Sequence, residues 1–176
     1  MNYAAIKKFD IANGPGVRVS LFVSGCRHHC KNCFNQQAWS FSYGKPFTEE
    51  VMEELFTALS ADYIEGLSLL GGEPFEPENQ QPLLTFAEEF KRRFPQKTIW
   101  CYTGFLYDSE LLAGTVGNPE TVRKLLSCID VLVDGKFIEE QKNISLAFRG
   151  SENQRIIDLP RSLESGKVIL TSYHEK

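Results

Sequence analysis

The first 135 residues alternate between β-rich segments and helical ones, and this alternation limits the folds open to the chain more than any other feature of the sequence. "VRVSLFV" (17–23), "GLSLL" (66–70), "KTIWCYT" (97–103) and "DVLVDG" (130–135) read as strands. "TEEVMEELFTAL" (48–59) reads as a helix: Thr48 can cap it, and Glu49 and Glu50 suit the positive end of its dipole. Val51, Met52, Leu55, Phe56 and Leu59 recur there at helical spacing. A second helix is expected over 78–94, with Asn79 as its cap, Pro82 tolerated in the first turn and Pro95 ending it. Helical segments near 107–113 and 119–127 follow. The pattern predicts an α/β fold whose strands are mainly parallel and joined by crossover helices. The length of 176 residues suits a single domain, with its core at about 15–135 and a less regular segment at 136–176. Within that segment "RIIDL" and "KVILT" are each candidate strands.

In parallel sheets, ligand-binding groups gather on the loops that leave the C-terminal ends of the strands. Four chemically suggestive stretches fall there: the run of cysteines and histidines in "VSGCRHHCKNCFN" (23–35), then "GGEP", "YTG" and "VDGKF". Composition narrows the setting. A net charge of −4 gives no footprint for sequence-independent nucleic-acid binding. No apolar run approaches the roughly 20 residues of a membrane span, and the N-terminal stretch has no signal-peptide core. Five cysteines, three of them crowded together, do not resemble a secreted disulfide framework. A cytoplasmic location is expected.

The crowded thiols are spaced Cys26-x3-Cys30-x2-Cys33. Thiolates suit zinc or iron–sulfur clusters. A structural zinc site wants four ligands, and His28 or His29 would complete a Cys3His set. A four-iron cluster held by three cysteines instead leaves one iron open, a Lewis acid free to bind a substrate. Cys101 and Cys128 lie in apolar runs and read as packing thiols. In "LLGGEPF" the glycines let backbone approach a ligand closely, so Gly72 is expected to refuse a bulky side chain. Carbonyl groups and the Glu73 carboxylate are suited to accept hydrogen bonds from an ammonium.

Cys-x3-Cys-x2-Cys followed by Phe34 resembles the signature of radical S-adenosylmethionine enzymes, and Gly71-Gly72-Glu73-Pro74 is similar to that family's motif for the methionine amino group. Within that family, "NGPGVRVSLFVSGC", "GGEPF" and "FRGSENQRIIDL" resemble the activating proteins of anaerobic ribonucleoside-triphosphate reductase over nearly the whole chain. The resemblance implies a partial, open β/α barrel of the radical S-adenosylmethionine type. It implies a [4Fe-4S] cluster on Cys26, Cys30 and Cys33, and S-adenosylmethionine at the open iron beside Asn32, Cys33, Phe34, Gly71, Gly72, Glu73 and Pro74. It also implies reductive cleavage to methionine and a 5′-deoxyadenosyl radical, with a flavodoxin-like protein as electron donor. That radical takes hydrogen from a glycine of the large reductase subunit, and no side chain of the activator need act as acid or base. His28 and His29 read as loop residues, while Asp134 and Lys136 are candidates for contact with the cofactor or a neighbouring loop. Arg149 and Arg155, in "RGSENQR", read either as part of a solvated surface loop or as part of a polar platform near cofactor or partner. The alternatives are an activator of a pyruvate formate-lyase-type enzyme or a small-molecule radical enzyme, against both of which "RGSENQR" argues, and a non-catalytic zinc module.

Overall fold

A computed structural model describes residues 1–175, and these form a seven-stranded mixed sheet flanked by four α-helices. The strands are β1 (Asn2–Asp10), β2 (Val17–Val23), β3 (Lys45–Pro46), β4 (Ile64–Gly71), β5 (Thr98–Tyr102), β6 (Val131–Asp134) and β7 (Arg155–Asp158). The helices are α1 (Glu49–Leu59), α2 (Pro77–Arg93), α3 (Pro119–Cys128) and α4 (Leu159–Ser165). The sheet order is β3-β1-β2-β4-β5-β6-β7. The central run β2-β4-β5-β6 is parallel, as the alternation predicts. The flanking pairs β1–β2, β1–β3 and β6–β7 are antiparallel.

Period-2 alternation sorts the strand side chains onto two faces. Val19, Leu21, Val23, Leu67, Leu69, Ile99, Cys101, Leu132 and Ile157 pack in one buried cluster with the inward stripes of α1, α2 and α3, among them Leu55, Phe86, Phe90 and Leu125. The opposite face is more polar at one end and aromatic at the other. Arg18 is fully buried there, donating to Ser68 Oγ at 2.8 Å, Leu67 O at 2.8 Å and Thr98 O at 2.9 Å. Burial pulls its pKa down to about 10. Trp100, Val133 and Ile156 form the aromatic end together with Phe148 and Tyr173.

Thr48 caps α1 by accepting from the Val51 N–H, as expected. Asn79 does not cap α2. Pro77 presets the first helical turn, so the helix starts earlier, and the Asn79 amide instead donates to Ser24 O and Glu73 O. The segment after Tyr107 is a five-residue π-helical turn, Tyr107–Leu111, rather than an α-helix. Of the two candidate strands near the C-terminus, "RIIDL" supplies β7, whereas "KVILT" contributes only an isolated bridge from Leu170 to Ile157. β1 and β3 carried no strand signal in the sequence reading. Among the described residues no helix is long and apolar enough to cross a membrane.

Candidate functional site

The end of β2 and the end of β4 are stitched together by backbone. Gly72 N–H donates to Val23 O at 2.7 Å and Glu73 N–H to Gly25 O at 2.8 Å, and Asn79 bridges the same two segments. A Cβ on Gly72 would stand 2.5 Å from Gly25 O and 2.9 Å from Ala38 O. Glycine is therefore required at this position by the neighbouring loop, and not only by a ligand's approach.

From Ser24 the chain enters the cysteine loop. Arg27 is exposed, but its backbone N–H donates to Glu76 at 2.7 Å and its guanidinium pairs with Glu76 and Glu78. Glu76 is itself buried. His28 Nε2 lies 3.0 Å from Glu73 Oε2, and the His29 ring stacks on Trp39 with centroids 4.4 Å apart. Each of the two histidines that offered a fourth ligand for a Cys3His set is thus turned to a protein partner. Among the described residues no three His, Cys, Asp or Glu side chains converge as they would on one metal ion.

The loop borders a cavity of about 510 Å³, a size suited to a small-molecule ligand. Cys26, Cys30 and Cys33 lie along it with Asn32 and Phe34. Gly71, Gly72 and Glu73 line it from the end of β4, and Tyr102, Thr103 and Gly104 from the end of β5. Gly135 and Phe137 follow β6, and Ile144, Leu146, Phe148 and Arg149 supply a further wall. Phe34 is 85% exposed and Ile144 92%, which gives the lining two apolar, solvent-facing side chains. Pro74 is buried and does not line the cavity.

The sulfurs differ in setting. Cys26 is buried, and burial pushes its thiol up to about 12; burial also raises Cys30. Backbone N–H groups offset part of this: those of His28 and His29 interact with Cys26, and that of Phe137 with Cys30. The Asn35 N–H lies 3.5 Å from Cys33 Sγ. Cys101 is fully buried in the core, and Cys128 is half-buried against it, away from the cavity.

Glu73, expected to face a ligand's ammonium, is 1% exposed and engaged by four protein donors. Oε1 accepts from Phe75 N at 2.9 Å and Thr103 Oγ1 at 2.8 Å; Oε2 accepts from Gly104 N at 2.7 Å and meets His28. Asp134 serves a neighbouring loop: it accepts from Tyr107 N at 2.8 Å and pairs with Arg155, which also binds Asp108. Lys136 is exposed, and its carbonyl accepts from Asn153. The two arginines of "RGSENQR" separate. Arg149 lines the cavity while donating to the carbonyls of Gln154 and His174, whereas Arg155 is a fastener between β6, β7 and the π-helical turn.

Sequence reasoning missed Arg27, Glu76 and Glu78, and it missed the apolar wall of Ile144, Leu146 and Phe148. The first group left a trace: Glu73, Glu76 and Glu78 recur after one strand and Arg27–His28 after its neighbour, so opposite charges face each other across two adjacent strand ends.

The chain matches the model of a 4Fe-4S single cluster domain over residues 12–157. It is 45% identical over 158 residues to the anaerobic ribonucleoside-triphosphate reductase-activating protein of Haemophilus influenzae, covering 89% of this chain and 97% of that protein. The proteins of the same description from Escherichia coli K12 and Enterobacteria phage T4 are 40% and 39% identical, over 88% and 89% of this chain and 96% and 93% of theirs. With three thiols along one cavity, a matching cluster-domain model and similarity across nearly the full length of these proteins, the chain belongs to the family of anaerobic ribonucleoside-triphosphate reductase-activating proteins.

Proposed function

We propose that this protein reductively cleaves S-adenosylmethionine at a [4Fe-4S] cluster and so generates a glycyl radical on the large subunit of an anaerobic ribonucleoside-triphosphate reductase. The observation that carries the reading is the single cavity bordered by Cys26, Cys30 and Cys33 on one side and by Gly71–Glu73 on another. The donor set fits: three thiols border one cavity, and the Asn35 N–H lies 3.5 Å from the Cys33 sulfur. A four-iron cluster is wider than one ion, so its thiolates stand further apart than zinc ligands do.

Cys26, Cys30 and Cys33 would hold the cluster, each releasing a proton as the metal binds. Bound there, the cluster would supply one-electron reduction of S-adenosylmethionine, the chemistry that hydrogen removal from the partner's glycine requires. The chain's own task is placement. The carbonyls around Gly71–Gly72 are positioned to accept from the methionine ammonium, while the Glu73 carboxylate holds the segment in register. Asn32 and Phe34 complete the cofactor's surroundings, while Pro74, buried outside the cavity lining, shapes the turn. The polar and apolar wall at 142–150 keeps water out and leaves a mouth for a peptide segment. In this reading residues 1–176 are one open β/α barrel of the radical S-adenosylmethionine type, working in the cytoplasm with a flavodoxin-like donor.

The test is electron paramagnetic resonance after anaerobic incubation with reductant, S-adenosylmethionine and the large reductase subunit. A doublet on the reductase is expected, since the unpaired electron couples to the one remaining α-hydrogen, and deuterating the glycine should collapse it. Cofactor cleavage with no reductase radical would overturn the partner assignment. Zinc in place of iron in anaerobically purified protein would overturn the cluster.

A further inference from the structure

Two large apolar side chains that border the cavity are left in water by the fold. Phe34 stands on the cysteine loop and Ile144 on the wall formed by residues 142–150, and both line the cavity while projecting into solvent. Single exposed apolar residues are ordinary on a protein surface, but two at one opening form a patch, and an apolar patch beside a cavity marks a contact site. The exposure of Ile144 is built in by its turn. The Asn143 N–H donates to Gly150 O at 3.2 Å, the Ser145 N–H donates to Asn143 Oδ1 at 3.0 Å, and the Asn143 amide donates to Glu152 Oε1 at 3.1 Å. Asn143 thus pins both sides of the turn and leaves Ile144 at its tip.

Charge gives the patch a preference. Lys142, next to this turn, lines the cavity and is exposed. Among the described residues its ammonium pairs with no carboxylate. Two acidic neighbours are turned elsewhere: Glu140 to Lys31 at 3.4 Å, and Glu152 to Asn143. The carboxylate in the lining, Glu73, is buried and has four protein partners. Arg149 directs its guanidinium at the carbonyls of Glu152, Gln154 and His174 and at no carboxylate. The opening therefore offers apolar surface and an unpaired positive charge side by side. We propose that it takes a segment of the large reductase subunit in which an apolar side chain covers Ile144 and Phe34 and an acidic one pairs with Lys142. This rests on the proposed function and names the chemistry by which that partner is recognised. Burying the apolar pair supplies affinity, and the lysine supplies orientation and speed of encounter.

The experiment is an anaerobic binding measurement between the iron-reconstituted full chain and the purified large reductase subunit, with association and dissociation rates followed separately. Wild type comes first: if it forms no complex with that subunit, the proposed function fails before any variant is compared. Given a complex, Ile144→Ser, Lys142→Glu and Lys142→Arg are measured, with iron content determined on the same samples. Ile144→Ser should weaken the complex about tenfold, mainly through faster dissociation. Lys142→Glu should weaken it about tenfold at roughly 50 mM salt, mainly through slower association, and the deficit should shrink at roughly 300 mM as screening sets in. Lys142→Arg keeps the charge and should bind as wild type does. Wild-type affinity in either Ile144→Ser or Lys142→Glu overturns the proposal. So does a Lys142→Glu deficit that salt leaves unchanged, because the lysine would then not act as a charge. Weakened binding accompanied by loss of iron also counts against it, since the substitution would then act through the cysteine loop. If sedimentation finds that the variants lose self-association while binding the reductase normally, the face belongs to a second copy of this chain and the proposal falls.

Discussion

Cys26, Cys30 and Cys101 share raised thiol pKa values with one cause, burial, yet the surroundings assign them different work. Cys26 and Cys30 border the cavity, whereas Cys101 is enclosed among strand and helix side chains. A thiolate ligand has no substitute in a methyl group, while a packing thiol nearly does. Alanine at Cys26, Cys30 or Cys33 should therefore abolish the reconstituted cluster, read as iron content and visible absorbance. Alanine at Cys101 or Cys128 should retain it, with a stability loss of about 1 kcal/mol at the buried site. A full complement of iron in Cys30→Ala would remove it from the ligand set.

Between elements, the antiparallel attachment of β7 to β6 depends on one arginine. Arg155 joins Asp134, which is fully buried, to Asp108 on the π-helical turn. Arg155→Ala leaves the Asp134 carboxylate buried with the Tyr107 N–H as its remaining bond. The cost should be about 3 kcal/mol, the low end for a broken buried pair, because the Arg155 side chain is 26% exposed. The pH dependence has a definite sign. Hydrogen bonding to Arg155 holds the Asp108 carboxyl below its ordinary value of 3.8. Its contribution is thus fully present above that value and is lost as pH falls through the lowered folded one. The stability difference between wild type and Arg155→Ala should narrow in acid, as measured by urea unfolding from about pH 6 to about pH 3. A difference that widens on acidification would show that Asp108 is not stabilised by this arginine.

At the scale of the molecule, the segment beyond residue 157 lies outside the matched cluster domain but is bound into the cavity wall. Leu170 bridges to Ile157, Tyr173 packs edge-on against Trp100 and Phe148, and His174 O accepts from Arg149 at 2.7 Å. Phe148 and Arg149 both line the cavity. Ending the chain after Gly166 removes all three contacts. The truncated protein should lose about 2 kcal/mol or more of stability, and should bind S-adenosylmethionine at least tenfold more weakly, or about 1.4 kcal/mol, while keeping its iron. Calorimetry and anaerobic titration check the two effects separately. Unchanged cofactor affinity would show that the tail supports the fold without supporting the wall.

The sequence by itself determined whatever depends on neighbours a few residues apart: the parallel core, the start of α1, the cysteine spacing and the turn-forming "GGEP". It did not disclose β1, whose "NYAAIKKFD" is only partly buried and lacks a clean alternation; pairing with β2 makes it a strand. It did not separate Arg149 from Arg155 either, six residues apart yet one in the cavity wall and the other behind it. Glu73 was legible as a site residue but not as the partner of His28, 45 positions earlier. Motif spacing and periodicity are short-range properties of the chain. Which loops meet is decided by which strands lie side by side, and that order is set by burying the sheet as a whole.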